Sequence, residues 1–219
     1  MNTRTLVCLT ALLVSAFSFA EAQDVVSLPK ETPYADDATG AVSPARIGSF
    51  AKTNVTKNLN PYYGTVIRYA NDYGSSADVY IYALDLKTVN LSAEQWRKHY
   101  DEVKGNITHL TGKSVPLGEI AVLEEFTMKV PDEIVKKQML ASDLAGRRCS
   151  FSFSIGEDPF FSELVIFPVG SRIVKLRVTY SREITSEKAN ALKFLEAVCR
   201  EFFEKVEFVP DKPDSQPLK

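Results

Sequence analysis

The chain has 219 residues and a formal net charge of −2; 25% of its residues are charged and 45% hydrophobic. That balance suits one domain with a real core. It offers no clustered basic face for nucleic acid, no excess charge to hold the chain on anionic lipid and, with only two histidines and three cysteines, little material for a metal centre or cofactor.

The N-terminus carries one cation, Arg4, then an apolar run over residues 6–19, then Ala20-Glu21-Ala22. A short cationic segment, an apolar stretch and a small-x-small site define a secretory signal peptide, here residues 1–22 cut before Gln23. The run is too short for a membrane anchor: fourteen helical residues rise ~21 Å against a hydrocarbon core of ~30 Å. Lipidation at Cys8 is disfavoured because that cysteine precedes the apolar stretch instead of ending it. The expected product is periplasmic or secreted, without a transmembrane segment after cleavage.

Residues 23–46 contain Pro29, Pro33, Gly40 and Pro44, show no periodicity and read as a flexible leader. A single domain is expected over 47–209. Strands are predicted at 50–55, 62–70 and 77–86, the last two joined by the turn residues Asn71-Asp72-Tyr73-Gly74-Ser75. Ser92 with Gln95 three residues on forms a capping box. After it Trp96, Tyr100, Val103 and Ile107 recur at helical spacing.

A strand follows at 118–130, then an ambiguous segment at 131–144 that suits a short helix from Asp132 or a structured loop. At 148–155, Cys149, Phe151, Phe153 and Ile155 alternate with Ser150, Ser152 and Ser154, the period-two pattern of a strand. Two further strands, 162–167 and 172–180, are predicted around a loop of Pro168, Val169, Gly170 and Ser171. The second long helix is expected at 186–206, striped by Leu192, Leu195, Val198, Cys199, Phe202 and Val206, and residues 210–219 as a disordered tail.

Strands, a helix, more strands and a helix, without a strand-helix-strand rhythm, predict an α+β fold. Its antiparallel sheet would have six to seven strands packed against two main helices. The segments Tyr63-Gly64-Thr65-Val66-Ile67-Arg68-Tyr69, Asp78-Val79-Tyr80-Ile81-Tyr82 and Val174-Lys175-Leu176-Arg177-Val178-Thr179-Tyr180 resemble those of an uncharacterised family of exported bacterial proteins. The strand-helix order of that family is similar to the PsbP-like α/β/α sandwich. The resemblance is one of strand texture and carries over no functional residue; it implies a binding or accessory module.

Cys149 and Cys199 survive signal cleavage. In an oxidising compartment they are a disulfide candidate, worth roughly 4 kcal/mol for a loop of about fifty residues; the alternative is two small buried hydrophobes. His99 and His109 lie ten residues apart, ~15 Å along a helix, too far to share a metal, and read as exposed helix histidines. Glu124 and Glu125 point to opposite faces of a strand, and Arg147-Arg148 reads as a surface pair. Sequons occur at Asn54, Asn90 and Asn106.

The most suggestive cluster is Arg68, Lys175 and Arg177 with Tyr80 and Tyr82. If their strands lie together they form a basic, aromatic-lined face for an anionic group; the alternative is a solvated outer sheet face. No G-x-S-x-G, no phosphate-cradling glycine loop and no H-E-x-x-H is present. The sequence therefore reads as a non-catalytic binding or accessory module for an envelope protein or small ligand, with a small envelope hydrolase or a carrier of an apolar ligand as alternatives.

Overall fold

The computed structural model describes residues 25–60, 62–84, 92–108, 118–129, 145–203 and 205–211. The expected signal peptide, the segment 131–144, His109 and Asn90 lie outside the described residues. Two antiparallel meanders make up most of the sheet. The first comprises β5 (Phe50–Asn58), β6 (Thr65–Ala70) and β7 (Ser76–Tyr82). The second comprises β8 (Ala121–Lys129), β9 (Gly146–Ile155), β10 (Asp158–Val169) and β11 (Arg172–Ser181). They join where β7 pairs with β11, so the last strand of each lies at the centre.

Three short strands extend this sheet: β1 (Val25–Leu28) and β4 (Arg46–Ile47) on β5, and β12 (Glu207–Pro210) on β8. The described sheet therefore has ten strands, in the order β1-β5-β6-β7-β11-β10-β9-β8-β12 with β4 beside β5, not six to seven. The seven expected strands are all present. The additional ones are two to four residues long, too short for alternation to register in sequence.

Residues 23–46 are not a flexible leader where they are described. Besides β1 and β4 they form a small ribbon of β2 (Tyr34–Ala35) and β3 (Val42–Ser43). Lys52, only 5% exposed, donates from Nζ to the carbonyl oxygens of Thr32 at 2.7 Å and Ser43 at 3.0 Å, and the Tyr69 hydroxyl donates to Pro44 O at 2.9 Å. Long-range bonds of this kind hold a segment that has no periodicity of its own. At the other end Pro210 belongs to β12, and the Asp211 amide donates to Glu125 O at 2.9 Å, so the expected tail begins inside the sheet.

Helix α1 (Ala93–Thr108) starts as its capping box dictates: the Ser92 amide donates to Gln95 Oε1 and the Gln95 amide to Ser92 Oγ. Helix α2 (Thr185–Arg200) is shorter than the stripe suggested; Phe202 and Phe203 continue into the core as a turn and pack on Phe167. Its first turn is clamped by Glu187, fully buried, which accepts from Asn71 Nδ2, Ser75 Oγ and Asn190 Nδ2. A carboxylate near a helix N-terminus is favoured by the helix dipole, and here it also fixes the β6–β7 turn.

The two helices cover opposite faces. Alternation sends Val165, Phe167, Val174, Leu176 and Val178 to α2, where they join Phe194, Leu195 and Val198 in one continuous core. Leu164, Ile166 and Ile173 point the other way, where Trp96 and Tyr100 pack on Ile166 and Ile173, and Ile107 on Leu164.

This arrangement overturns the disulfide expectation. Cys149 sits among Ile107, Phe151 and Leu164 on the α1 face, and Cys199 lies in the α2 core, so the sheet separates them. Both are free and buried. Burial pushes each thiol up to about 12, which leaves them as inert small hydrophobes. The β10–β11 loop is also tighter than expected. Pro168 and Val169 remain in β10, paired with Ile173 and Arg172, and only Gly170 (φ +56°) and Ser171 turn the chain.

Candidate functional site

The pairing of β6, β7 and β11 sets the floor of a groove. Arg68, Asp78 and Arg177 stand in one row across the three strands, and Val66, Tyr80 and Lys175 in the next. Tyr82 and Ile173 follow, and all of these side chains point toward α1. The floor thus grades from charged to apolar along the strands, about 6.7 Å per row.

The opposite wall is one flank of α1. Gln95, His99, Glu102 and Asn106 recur beside the buried stripe and, with Lys98 and Val103, face the sheet across a cavity of about 400 Å³. Its mouth carries Tyr62 and Tyr63, exposed and packed edge to face at 5.4 Å. Gly64 places them there. Its φ is +64°, and a Cβ at this position would overlap the Ile81 carbonyl oxygen, so the loop lies against β7 only because no side chain intervenes.

Of the five residues singled out in sequence, Arg68, Tyr80, Tyr82 and Lys175 line the cavity. Arg177 stands a row away and donates from Nε to Ser162 Oγ at 3.1 Å. Lys175 Nζ lies 3.9 Å from the centre of the Tyr80 ring, a cation–π contact. Arg68 Nε approaches Asp78 Oδ1 at 3.8 Å, and the Tyr80 hydroxyl donates to Asp78 Oδ2 at 3.3 Å. The face is therefore no solvated outer surface; Lys175, Arg177 and Arg68 are half-buried and Asp78 is 6% exposed.

Burial governs the protonation of these groups. Desolvation raises the Asp78 carboxyl, with Arg68 and Arg177 opposing it. It lowers the Lys175 ammonium to about 8, assisted by the Arg177 charge. His99 is not the exposed helix histidine the sequence suggested: it is half-buried, and its Nε2 lies 2.7 Å from the Tyr82 hydroxyl. Desolvation and the Lys175 charge push it down to about 4, so the imidazole is neutral at pH 7.

Asp78, His99 and the Tyr62–Tyr63 pair were missed in sequence. The three- and four-residue spacing of Gln95, His99, Glu102 and Asn106 beside the Trp96 stripe is the signal that could have found His99; the part played by Asp78 needs the three-strand register. The other highlighted pairs are structural. Glu125 accepts from Tyr100 and Lys104, whereas Glu124 is exposed. Arg147 pairs with Asp211, and Arg148 with the buried Glu163 on the α2 side, so these arginines are not a surface pair. A broader trough of about 900 Å³ between α1 and β8 carries Lys104, Glu125, Arg147 and Asp211. Among the described residues no cluster of three or more His, Cys, Asp or Glu is placed to hold a metal, and no helix is long and apolar enough to cross a membrane.

No family model matches the chain, and no curated protein matches it. Among solved structures it is similar to cyanobacterial PsbP (CyanoP) from Synechocystis sp. PCC 6803, at 8% identity and a TM-score of 0.41, covering 89% of this chain and 98% of that one. It is also similar to a mutant of protein Mog1, at 11% identity and a TM-score of 0.33, covering 73% of this chain and 96% of that one. The class that the fold itself defines is an α+β protein, and nothing narrower.

Proposed function

We propose that the chain is an exported, non-catalytic binding module whose ligand site is the groove between α1 and the β6–β7–β11 floor. The observation that carries this reading is the convergence of Arg68, Tyr80, Tyr82 and Lys175 on one cavity of about 400 Å³. Ligand sites are concave, largely apolar and supplied with a few placed polar groups, and a few hundred Å³ suits a small organic molecule. Gly64 supports the reading further, since it holds two exposed tyrosines at the mouth.

The hydrolase alternative gains little from this site. Its histidine, at about 4, is a poor general base near neutrality and is already engaged by Tyr82. The carrier alternative merges with the proposal, because the groove is apolar at one end.

Native mass spectrometry of the protein recovered from the organism that makes it tests the reading. A retained small molecule is expected, lost when Val103→Trp fills the groove, on a chain that begins at Gln23. A bare protein, or a molecule still retained by Val103→Trp, sinks the site; an intact residue 1–22 segment sinks export.

A further inference from the structure

Resting on the reading of the groove as a ligand site, we infer that Lys175 is a nucleophilic amine. The groove takes a small aldehyde with an apolar body and holds it as an imine on Lys175 Nζ.

Strand pairing puts this lysine where an amine is hard to keep protonated. Lys175 lines the cavity from the central strand β11 and is half-buried. Arg177, two residues on, stands on the same face about 6.7 Å along the strand. A lysine that is desolvated and set beside another cation gives up its proton readily, and its neutral nitrogen attacks carbonyl carbon.

The neighbours on each side act on that proton. Burial and Arg177 disfavour the ammonium, whereas Asp78 on β7 favours it. So does the Tyr80 ring, whose centre lies 3.9 Å from Nζ. Arg68 on β6 is held by Asp78 at 3.8 Å. On α1, His99 is neutral, and Lys98 and Glu102 are exposed and of opposite sign. The balance lowers Lys175 to about 8. At pH 7 about one amine in ten is then neutral, against about one in three thousand for an ordinary lysine. The reaction requires an unprotonated nitrogen beside a cavity, and neither depends on Lys175 standing clear of its neighbours.

The cavity supplies the rest. Tyr82, Leu84 and Val103 line it beyond Tyr80 and give an apolar chain or ring its place. Lys175 Nζ attacks the carbonyl carbon and a carbon–nitrogen bond forms. The carbonyl oxygen then leaves as water with both protons of the neutral amine, and nothing is oxidised or reduced. The burial that disfavours the ammonium also disfavours the protonated imine, and a partly closed site slows the return of water.

Reductive trapping tests this. The chain from Gln23 is treated at pH 7 with hexanal and cyanoborohydride, which delivers hydride to the imine carbon and fixes it as a secondary amine, and the labelled peptides are quantified. Lys175 is expected to label at least tenfold faster than the exposed Lys98 and Lys188. That preference should shrink with glyceraldehyde, which has no apolar body, and the Lys175 rate should level off above pH about 8. Val103→Trp, checked for folding by circular dichroism, should slow Lys175 at least tenfold and leave Lys188 unchanged.

Equal labelling of the three lysines, a Lys175 rate that climbs with pH as the exposed lysines do, or labelling indifferent to Val103→Trp or to the choice of aldehyde overturns the inference. The retained-ligand experiment judges the groove independently: a ligand displaced by Val103→Trp that leaves no reductively trapped adduct on Lys175 ends this inference and leaves the groove standing.

Discussion

The two faces of the sheet are built on opposite principles. Against α2, every central strand contributes aliphatic or aromatic side chains, and the result is one uninterrupted core in which Phe194 meets Phe50 at 4.9 Å and Tyr69 at 5.2 Å. Against α1 the apolar contacts break into two small clusters, and the region over β6, β7 and β11 holds cations, a carboxylate and tyrosines around a cavity. A packed face contributes stability through burial. A face with half-buried charges costs desolvation, and groups perturbed in this way cluster at functional sites. The apolar burial of this protein is thus concentrated on one side, and the proposed ligand groove lies on the other.

The largest expected effect comes from damaging the packed side. Phe194→Ala should cost about 3–5 kcal/mol in urea unfolding, whereas Tyr82→Phe, which removes only the bond to His99 on the groove side, should cost about 1 kcal/mol. Comparable losses from the two would break the comparison. Also on the α2 side, Glu163 is 3% exposed and receives Arg148, Ser150 and Tyr180. Arg148→Met leaves that carboxylate without its cation and should cost about 3 kcal/mol by the same measurement.

Gly64→Ala forces a side chain into a left-handed position against Ile81 O. It should cost at least about 1 kcal/mol and also weaken retention of the groove's ligand by displacing Tyr62 and Tyr63. Loss of stability with retention unchanged would remove the mouth from the site.

Acid titration sharpens the contrast further. His99 moves from 6.5 to about 4 on folding, so between those values the unfolded chain binds the extra proton. Stability therefore falls as pH drops from about 6.5 to 4. His99→Gln should flatten this part of the curve, and an unchanged slope would show that His99 is not desolvated there. The smallest effect is a null one: with the cysteines on opposite faces, reductant should leave Tm unchanged, and the denatured protein without residues 1–22 should titrate two thiols.

Much of this was legible in the sequence because it is local. Seven strands, both helices, the Ser92–Gln95 cap and the facing of Lys175 and Arg177 away from Val174, Leu176 and Val178 follow from period and spacing, which neighbouring residues set among themselves. The sequence offered Arg68, Tyr80, Tyr82, Lys175 and Arg177 as one face only on condition that their strands lie together, beside a solvated outer face as the alternative; four of the five line the cavity and Arg177 does not. What could not be read was register and layer. Asp78 stands between Arg68 and Arg177, and His99 meets Tyr82, only because three strands align and a helix crosses above them.

The sequence by itself determined the seven longer strands, the two helices, their amphipathic faces and the α+β class, because hydrophobic periodicity is written residue by residue. Tertiary structure alone decided that Val25–Leu28 and Arg46–Ile47 join the sheet, that a sheet stands between Cys149 and Cys199, and that the charged row of β6, β7 and β11 faces the α1 side and is largely withdrawn from solvent. Each of these depends on pairing between segments far apart in the chain, and such pairing is fixed by the whole core and not by any one stretch of it.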